Sequence, residues 1–583
     1  MKQLGGMDAN FLNMETPSTY GHVCSMTIYE PTPGSGGAGL EITKRTILSR
    51  MDQLEPFRRR LVTVPFGLDL PYWIDDPDFD IDYHVRHHAV PPPGTPQQLA
   101  EVVGRIVSRP LDRSRPLWEL YVIEGVENGR YIAQLNKIHH ATIDGAAGVI
   151  LLSAMLDTDP TSVPAERPTE RWPVEVLPTS AAMLKLTGYE YLRRPEKMIR
   201  LGVHAVRSVA ANTNNPGLAA FGDALARPLP GPFGKMLRDR LRGDRAVEDE
   251  LPKLSSRLAP RTPFNASIGP HRRFAYTSLS LNDAREIRRA FGVTFNDVVM
   301  ALCAATLRDY LTIHDALPDE PLIAMVPISV RGDDEDDLFR NRVAALTCEL
   351  ATDEPDPVKR LLRISRRMAD AKERFDAVSA DALQDFTQFA PPAVAGQAMR
   401  LFSRMRIADR MKPPVNLIIS NVPGPNHPLY SAGAQLKHFY PVSTIADGMG
   451  LNMTVQSYNG QLDFGFVGDR DLVPDLWVLI DLLHSSMKQL HELARAEHGG
   501  GTTSTDMTTA QATAHGASSA SAVKGASGQQ VAADGAKVAQ AAKKVPTKKA
   551  TEKKASAKRA PASKKKAPVA NTATRQKTPA GRM

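Results

Sequence analysis

The chain is short of the residues that staple, ligate or span. Its three cysteines, Cys24, Cys303 and Cys348, lie far apart with no CxxC spacing. That argues against a disulfide framework or a zinc site and for a reducing compartment. No run of about 18 apolar residues occurs, the length a membrane-crossing helix needs. The N-terminus lacks a basic stretch followed by an apolar one, so neither insertion by a helix nor export by a typical signal is expected. There is no GxSxG turn and no cysteine within a motif, which leaves little support for a covalent intermediate on serine or cysteine.

An excess of positive charge is also missing from most of the molecule. The net charge of +8 comes from the C-terminus: from Gly501 onward sixteen Lys and Arg face three acids, a balance of +13, while the other residues hold 56 bases and 61 acids, a balance of −5. That stretch passes from Gly, Ser, Thr and Ala into KKVPTKKATEKKASAKRAP. With almost no large apolar residue it cannot offset the entropy of ordering, so a disordered tail is expected over residues 499–583. A solubilising tail is the plainer reading. The sharper one is an arm resembling linker-histone tails, which without aromatics would hold the phosphates of nucleic acid or anionic lipid without reading sequence.

What is present suffices for more than one domain: 583 residues with 42% apolar composition allow substantial cores. The organising stretch is HHATIDG, His139 to Gly145. Before it, Tyr131, Ala133 and Leu135 alternate with Ile132, Gln134 and Asn136, the period of a strand. After it, Val149, Leu152 and Met155 recur at helical spacing. Neighbouring strand residues point to opposite faces, so His139 and His140 cannot both aim at one substrate unless the backbone turns between them. One is the working imidazole and the other packs or supports it. Asp144 follows in the turn, with Gly145 giving the backbone room. An imidazole titrates near neutral pH and a turn carboxylate can hold its tautomer, which suits general-base chemistry. Taken singly, Asp144 also reads as a helix N-cap and either histidine as hydrogen-bonded scaffold. The combination HHxxxDG at a strand-to-helix switch favours catalysis, with His140 as base and His139 and Asp144 beside it.

At these residues the sequence resembles the bacterial wax ester synthase and diacylglycerol acyltransferase family, within the wider HxxxDG group of CoA-dependent acyltransferases that includes chloramphenicol acetyltransferase and peptide-synthetase condensation domains. The resemblance runs over roughly the first 497 residues and includes LGGMDANFLNMETP (Leu4 to Pro17), PLDRSRPLWEL (Pro110 to Leu120), TPFNASIGPHRRFAY (Thr262 to Tyr276), FNDVVMA (Phe295 to Ala301), VPISVR (Val326 to Arg331) and NLIISNVPGP (Asn416 to Pro425). It implies an α/β, two-domain chloramphenicol acetyltransferase-like fold with mixed sheets and a tunnel between the halves. The expected parts are an acyltransferase half at 1–178, a helical crossover at 179–260, a second half at 261–498 and the tail. It further implies a long-chain acyl-CoA donor and diacylglycerol or a fatty alcohol as acceptor. No metal or cofactor is required, and the expected place is the cytoplasm, peripheral to a membrane or lipid droplet. Asp144 is expected to be ion-paired with an arginine. Arg331 is the choice because a guanidinium meets a carboxylate through two parallel hydrogen bonds, with Arg272, Arg273 and Arg342 as alternatives. Asn296, otherwise a helix cap, is expected near the catalytic tunnel. Competing readings are a condensation-type transferase and a non-catalytic tether between lipid droplets and nucleic acid.

The remaining patterns supply scaffold. Strands are expected at His22 to Tyr29, Phe79 to Val85, Trp118 to Ile123, His271 to Ser280 and Asn416 to Ser420, and around a hairpin at Asn459-Gly460. Helices are expected at Glu41 to Leu54, Gln97 to Arg109 and Pro357 to Ala377, with one capped by Asn282 and ended by Gly292, and a last one carrying Leu476 to Ala494. His84, His87 and His88 read as a solvated strand end and not a metal site. PLDRSRPLWEL reads as a rigid connection that packs Leu117 and Trp118 into the core. Two stretches with apolar residues flanked by bases, Ser180 to Asn214 and Phe386 to Lys412, are candidates for packing on the domain or resting on an anionic lipid surface.

Overall fold

The computed structural model describes residues 1–32, 37–143, 148, 151, 154–162, 175–193, 258–329, 343–376 and 400–500. Two six-stranded sheets and a small ribbon account for its strands. The ribbon joins β1 (Lys2–Gln3), β3 (Arg59–Val62) and β4 (Tyr72–Asp75), all antiparallel. The first large sheet is built on β2 (His22–Glu30), β5 (Val85–Ala89), β6 (Trp118–Val126) and β7 (Tyr131–His139). The second contains β8 (Arg272–Ser280), β9 (Ile323–Ser329), β10 (Val343–Glu349), β11 (Leu417–Val422), β14 (Leu451–Tyr458) and β15 (Gln461–Asp469) in the order β10-β9-β11-β14-β15-β8. Its pairs are antiparallel except β9–β11 and β11–β14, which are parallel. The α/β class with mixed sheets is as expected.

The strands β12 (Tyr430–Ser431) and β13 (Ala434–Val442) come from the second half of the chain but complete the first sheet, in the order β12-β13-β2-β7-β6-β5. Val442 pairs with Cys24 and Gln435 with Glu30, with a bulge between Leu436 and His438. The two sheets come so close here that any side chain at Gly465 on β15 would run into the Pro441 carbonyl on β13. Glycine is required there by space.

Helices α1 (Gly6–Asn13), α2 (Leu40–Ser49), α3 (Pro96–Val107) and α4 (Ser180–Arg193) belong to the first half. Thr95 caps α3 through a box with Gln98. The apolar face of α3, Leu99, Val103 and Ile106, packs with Met26, Leu135, Phe274 and Tyr440 in a core shared by both sheets. The opposite face of the first sheet is closed by Ile47, Phe57, Trp118, Ile138 and Ile143. Trp118 is buried, stacks on Phe57 at 4.1 Å and donates its indole N–H to the Phe57 carbonyl. Removing a ring packed this way costs about 3–5 kcal/mol. Met183 of α4 is buried with Val64 and Tyr72, so this part of the first basic-apolar stretch packs on the domain.

In the second half α5 (Leu281–Phe291), α6 (Phe295–Ile313), α7 (Pro357–Asp376) and α8 (Trp477–Gly500) cover one face of their sheet. The hairpin at Asn459-Gly460 holds both residues at positive φ, 42° and 84°, the primed turn that matches strand twist.

Three local expectations need correction. Residues Ile81–His84 form one helical turn because the Asp80 carboxylate accepts the Asp82 N–H, so the strand starts only at Val85. His84 is accordingly buried, not solvated: it sits under Trp118 at 4.5 Å with Nδ1 on the Trp118 carbonyl, while His87 and His88 are exposed. Asn282 and Asn296 are not caps. Ser280 caps α5, and Thr294 caps α6 through a reciprocal box with Asp297.

Candidate active site

The site begins where β7 stops. His139 is the last strand residue, paired with His22, and its N–H donates to the Leu117 carbonyl. The chain then turns: the His140 N–H donates to the Gly21 carbonyl at 2.7 Å and the Thr142 N–H returns to the His139 carbonyl at 2.9 Å. Two adjacent imidazoles thereby acquire different surroundings. His139 is 1% exposed. His140 is half-buried and lies flat on Phe11 of α1, ring centres 4.0 Å apart and planes 7° from parallel.

His139 is fixed from both ends. Its Nδ1 accepts the Ala141 N–H at 3.0 Å, so a neutral ring carries its hydrogen on Nε2. That Nε2 stands 3.2 Å from Glu15 Oε1, an electrostatic contact with an imperfect hydrogen-bond angle. Glu15 in turn accepts the Gly21 N–H at 2.8 Å and Arg113 Nη2 at 2.5 Å, and Arg113 also reaches the Leu12 carbonyl. Burial pushes the Glu15 carboxyl up. His139, Arg113 and the Gly21 N–H outweigh it and bring it from 4.5 down to about 2. Gly21 is required by space: a Cβ there would meet His139 Nε2 at 2.6 Å.

A buried lysine braces the approach to Arg113. Lys137 of β7 sends Nζ to the Arg109 carbonyl at 2.6 Å and lies 3.4 Å from Glu119, tying down the C-terminal end of α3. The PLDRSRP segment leaves from there. Burial lowers the Lys137 pKa, with Glu119 opposing.

A cavity of about 190 Å³ opens beside the turn, lined by Ala141, Thr142, Gly5, Asp8, Arg59 and Trp73 among others. A second, of about 10 Å³, lies where the halves meet, between Tyr20, His22, Arg272 and Thr444. Among the described residues no cluster of three metal-binding side chains occurs, and no single helix is long and apolar enough to cross a membrane.

Residues 4–299 match the wax ester synthase/diacylglycerol acyltransferase catalytic domain, and residues 340–491 match the C-terminal domain of the same proteins. The chain belongs to the wax ester synthase/diacylglycerol acyltransferase family. It is 35% identical to a putative diacylglycerol O-acyltransferase of Mycobacterium tuberculosis over 84% of this chain and 90% of that one. It is 32% identical to an O-acyltransferase of Acinetobacter baylyi over 84% and 96%. The solved wax ester synthase/diacylglycerol acyltransferase of Marinobacter aquaeolei VT8 superposes with a TM-score of 0.58 at 28% identity, covering 85% of this chain and 100% of that one.

Of the acyltransferase residues singled out from sequence, His139 and His140 stand together at the turn. Asp144, Gly145, Arg331 and the alternative Arg342 lie outside the described residues, as does the tail from Gly501, while Gly499 and Gly500, expected in the tail, are the last residues of α8. Arg272 is committed elsewhere: its guanidinium donates to the Gly269 and Ser18 carbonyls and lies over the Tyr20 ring. Arg273 donates to the Arg470 carbonyl. Asn296 sits at the start of α6 with its amide oxygen 3.4 Å from Asn421 Nδ2, and no described contact joins it to either histidine. Sequence reasoning missed Glu15, Arg113, Phe11 and Gly21. Glu15 and Phe11 fall within LGGMDANFLNMETP and Arg113 within PLDRSRPLWEL. Each segment holds more than one charged residue, Asp8 with Glu15 in the first and Asp112, Arg113, Arg115 and Glu119 in the second, so charge alone did not mark these two.

Proposed function

We propose that this acyltransferase moves the acyl group of a long-chain acyl-CoA onto the hydroxyl of diacylglycerol, or of a fatty alcohol, in one direct displacement. The His140 imidazole takes the proton as the acceptor oxygen attacks the thioester carbonyl. The C–S bond then breaks, and the thiolate of CoA leaves and receives that proton. The products are an ester and free CoA. His139 touches neither substrate. Held by Glu15 and Ala141, it fixes the turn that aims its neighbour. The observation that carries this reading is the asymmetry of the pair: His139 is sealed against a carboxylate, while His140 is only half-buried, at a turn whose next residues, Ala141 and Thr142, line a cavity. General-base help of this kind contributes on the order of 10² to 10⁴ in rate, and holding two large substrates side by side supplies much of the rest.

The acceptors are lipids, which supports work at a membrane or lipid-droplet surface on the cytoplasmic side. The basic C-terminal stretch adds a salt-sensitive attraction to anionic lipid or nucleic acid. The test is product analysis: palmitoyl-CoA is incubated with purified chain and either diacylglycerol or hexadecanol, lipids are separated and free thiol is followed. Triacylglycerol or wax ester with matching CoA release is expected, and equal turnover by His140→Ala would overturn the mechanism.

A further inference from the structure

Most large apolar side chains of the described residues are covered, yet three stand out within eleven positions: Leu401, Met405 and Met411 are 56%, 52% and 56% exposed. Leu401 lies in a helical segment at residues 400–404, and Met405 and Met411 stand on either side of the short turn Ile407–Asp409. Exposed bases alternate with them, namely Arg400, Arg404, Arg410 and Lys412. Arg406 is also exposed but pairs with Asp409, the only acid of the segment, at 2.7 Å.

This ridge is not a loose loop. Arg261 donates to the carbonyls of Asp409 and Met411 at 2.7 and 3.2 Å, the Asp409 carboxylate accepts the Ser267 N–H at 2.7 Å, and Ala408 is buried. The apolar tips are therefore held outward by a fixed backbone. The ridge also touches the frame of the candidate site. Ser403 Oγ lies 3.5 Å from Ser18 Oγ, and Ser18 belongs to the loop that runs from Glu15, which contacts His139, to Gly21, whose carbonyl accepts the His140 N–H.

We infer that residues 400–412 form a docking ridge for an anionic phospholipid surface, seating the mouth of the acyltransferase site on the bilayer that carries its acceptor. Three apolar tips suit the boundary of headgroup and acyl chain, and guanidinium and ammonium groups on the same ridge suit phosphate. The charge pattern is complementary to anionic lipid and repels this chain's own basic tail, so the tail cannot be what covers it. The inference rests on the acyltransferase reading only for what the surface delivers. Docking itself stands apart from catalysis.

The test uses the full chain with vesicles of phosphatidylglycerol and phosphatidylcholine in equal parts. The native cysteines are all buried, so Met405→Cys accepts an environment-sensitive dye selectively. Its emission should move to the blue on these vesicles and stay put with phosphatidylcholine alone. The triple variant Leu401→Ser, Met405→Ser, Met411→Ser should bind the vesicles at least about tenfold less at ~0.5 M salt, where the tail's attraction is screened. It should keep its turnover on dispersed dioctanoylglycerol and lose severalfold on acceptor embedded in vesicles. A dye that stays in water while the protein is vesicle-bound would overturn the proposal. So would a triple variant that partitions like its parent, or a shift produced equally by duplex DNA or by raising protein concentration alone. Failure of the acyltransferase reading shows separately, as absence of CoA release by the unmodified chain on the dispersed acceptor.

Discussion

The pairing of histidine with carboxylate at the candidate site has a counterpart of opposite character elsewhere among the described residues. At the end of β7, Glu15 holds His139 while the next residue, His140, keeps a ring that is only half-buried. Where β8, β13 and β15 meet, Asp463 is fully buried and accepts Ser278 Oγ at 2.5 Å and the Phe439 N–H at 2.6 Å, with His438 Nδ1 at 3.2 Å. Ser278 also lies 3.0 Å from His438 Nδ1 and 2.9 Å from the Tyr440 hydroxyl. By residue type the second cluster is Ser, His and Asp, the set that suggests a nucleophile. By geometry it is a joint. The serine is bonded to the aspartate itself, the histidine meets both through one nitrogen, and together they fasten the bulge of β13 to the second sheet. In a relay each ring nitrogen would face a different partner. The comparison teaches that proximity of His and carboxylate marks rigidity. Reactivity needs a second group that the rigid pair aims.

The sharpest way to break this contrast is His140→Ala, expected to lower CoA release by about 10² to 10⁴ with the melting temperature nearly unchanged. His139→Ala should lose less turnover and more stability. Next is the acid limb of stability. The folded Glu15 carboxyl, at about 2, lies below its ordinary 4.5, so its contribution is present above pH 4.5 and is lost as the pH falls towards 2. The shift corresponds to about 3 kcal/mol. Urea unfolding across that window should show the loss for the parent chain and a flatter profile for Glu15→Gln. Asp463→Asn should destabilise by about 2 kcal/mol, since it leaves buried donors with a poorer acceptor. Its turnover per folded molecule should stay within about twofold, and a fall as deep as that of His140→Ala would make the joint a second site. Smallest is Gly21→Ala, where a displaced His139 ring should cost about 1 kcal/mol and lower turnover severalfold, read from thermal melts and initial rates.

What the sequence revealed was what periodicity and turn chemistry encode. The strand into His139, the Asn459-Gly460 hairpin, the left-handed stop at Gly292 and the stripe of α8 are all local. The exchange of β13 left no mark, because pairing between Val442 and Cys24 is a relation between distant segments and changes neither one's pattern. The caps were misjudged by two residues because a capping side chain must come from the residue before the first helical turn, which is Ser280 or Thr294 and not the more conspicuous asparagine. Half of the candidate site was legible for the same reason: HHATIDG is contiguous. Glu15, Gly21 and Arg113 become neighbours of His139 only through the strand pairing of β2 with β7 and the anchoring of α3.

Because β13 is lent across the middle of the molecule, a ribosome that has released residues 1–260 has made a sheet with a naked edge at β2. Bare strand edges invite pairing with other chains. The first half must therefore wait, unfinished, until residue 442 has emerged. A fragment ending at residue 260 is expected to precipitate, or to recover its fold only when supplied with the missing segment in trans.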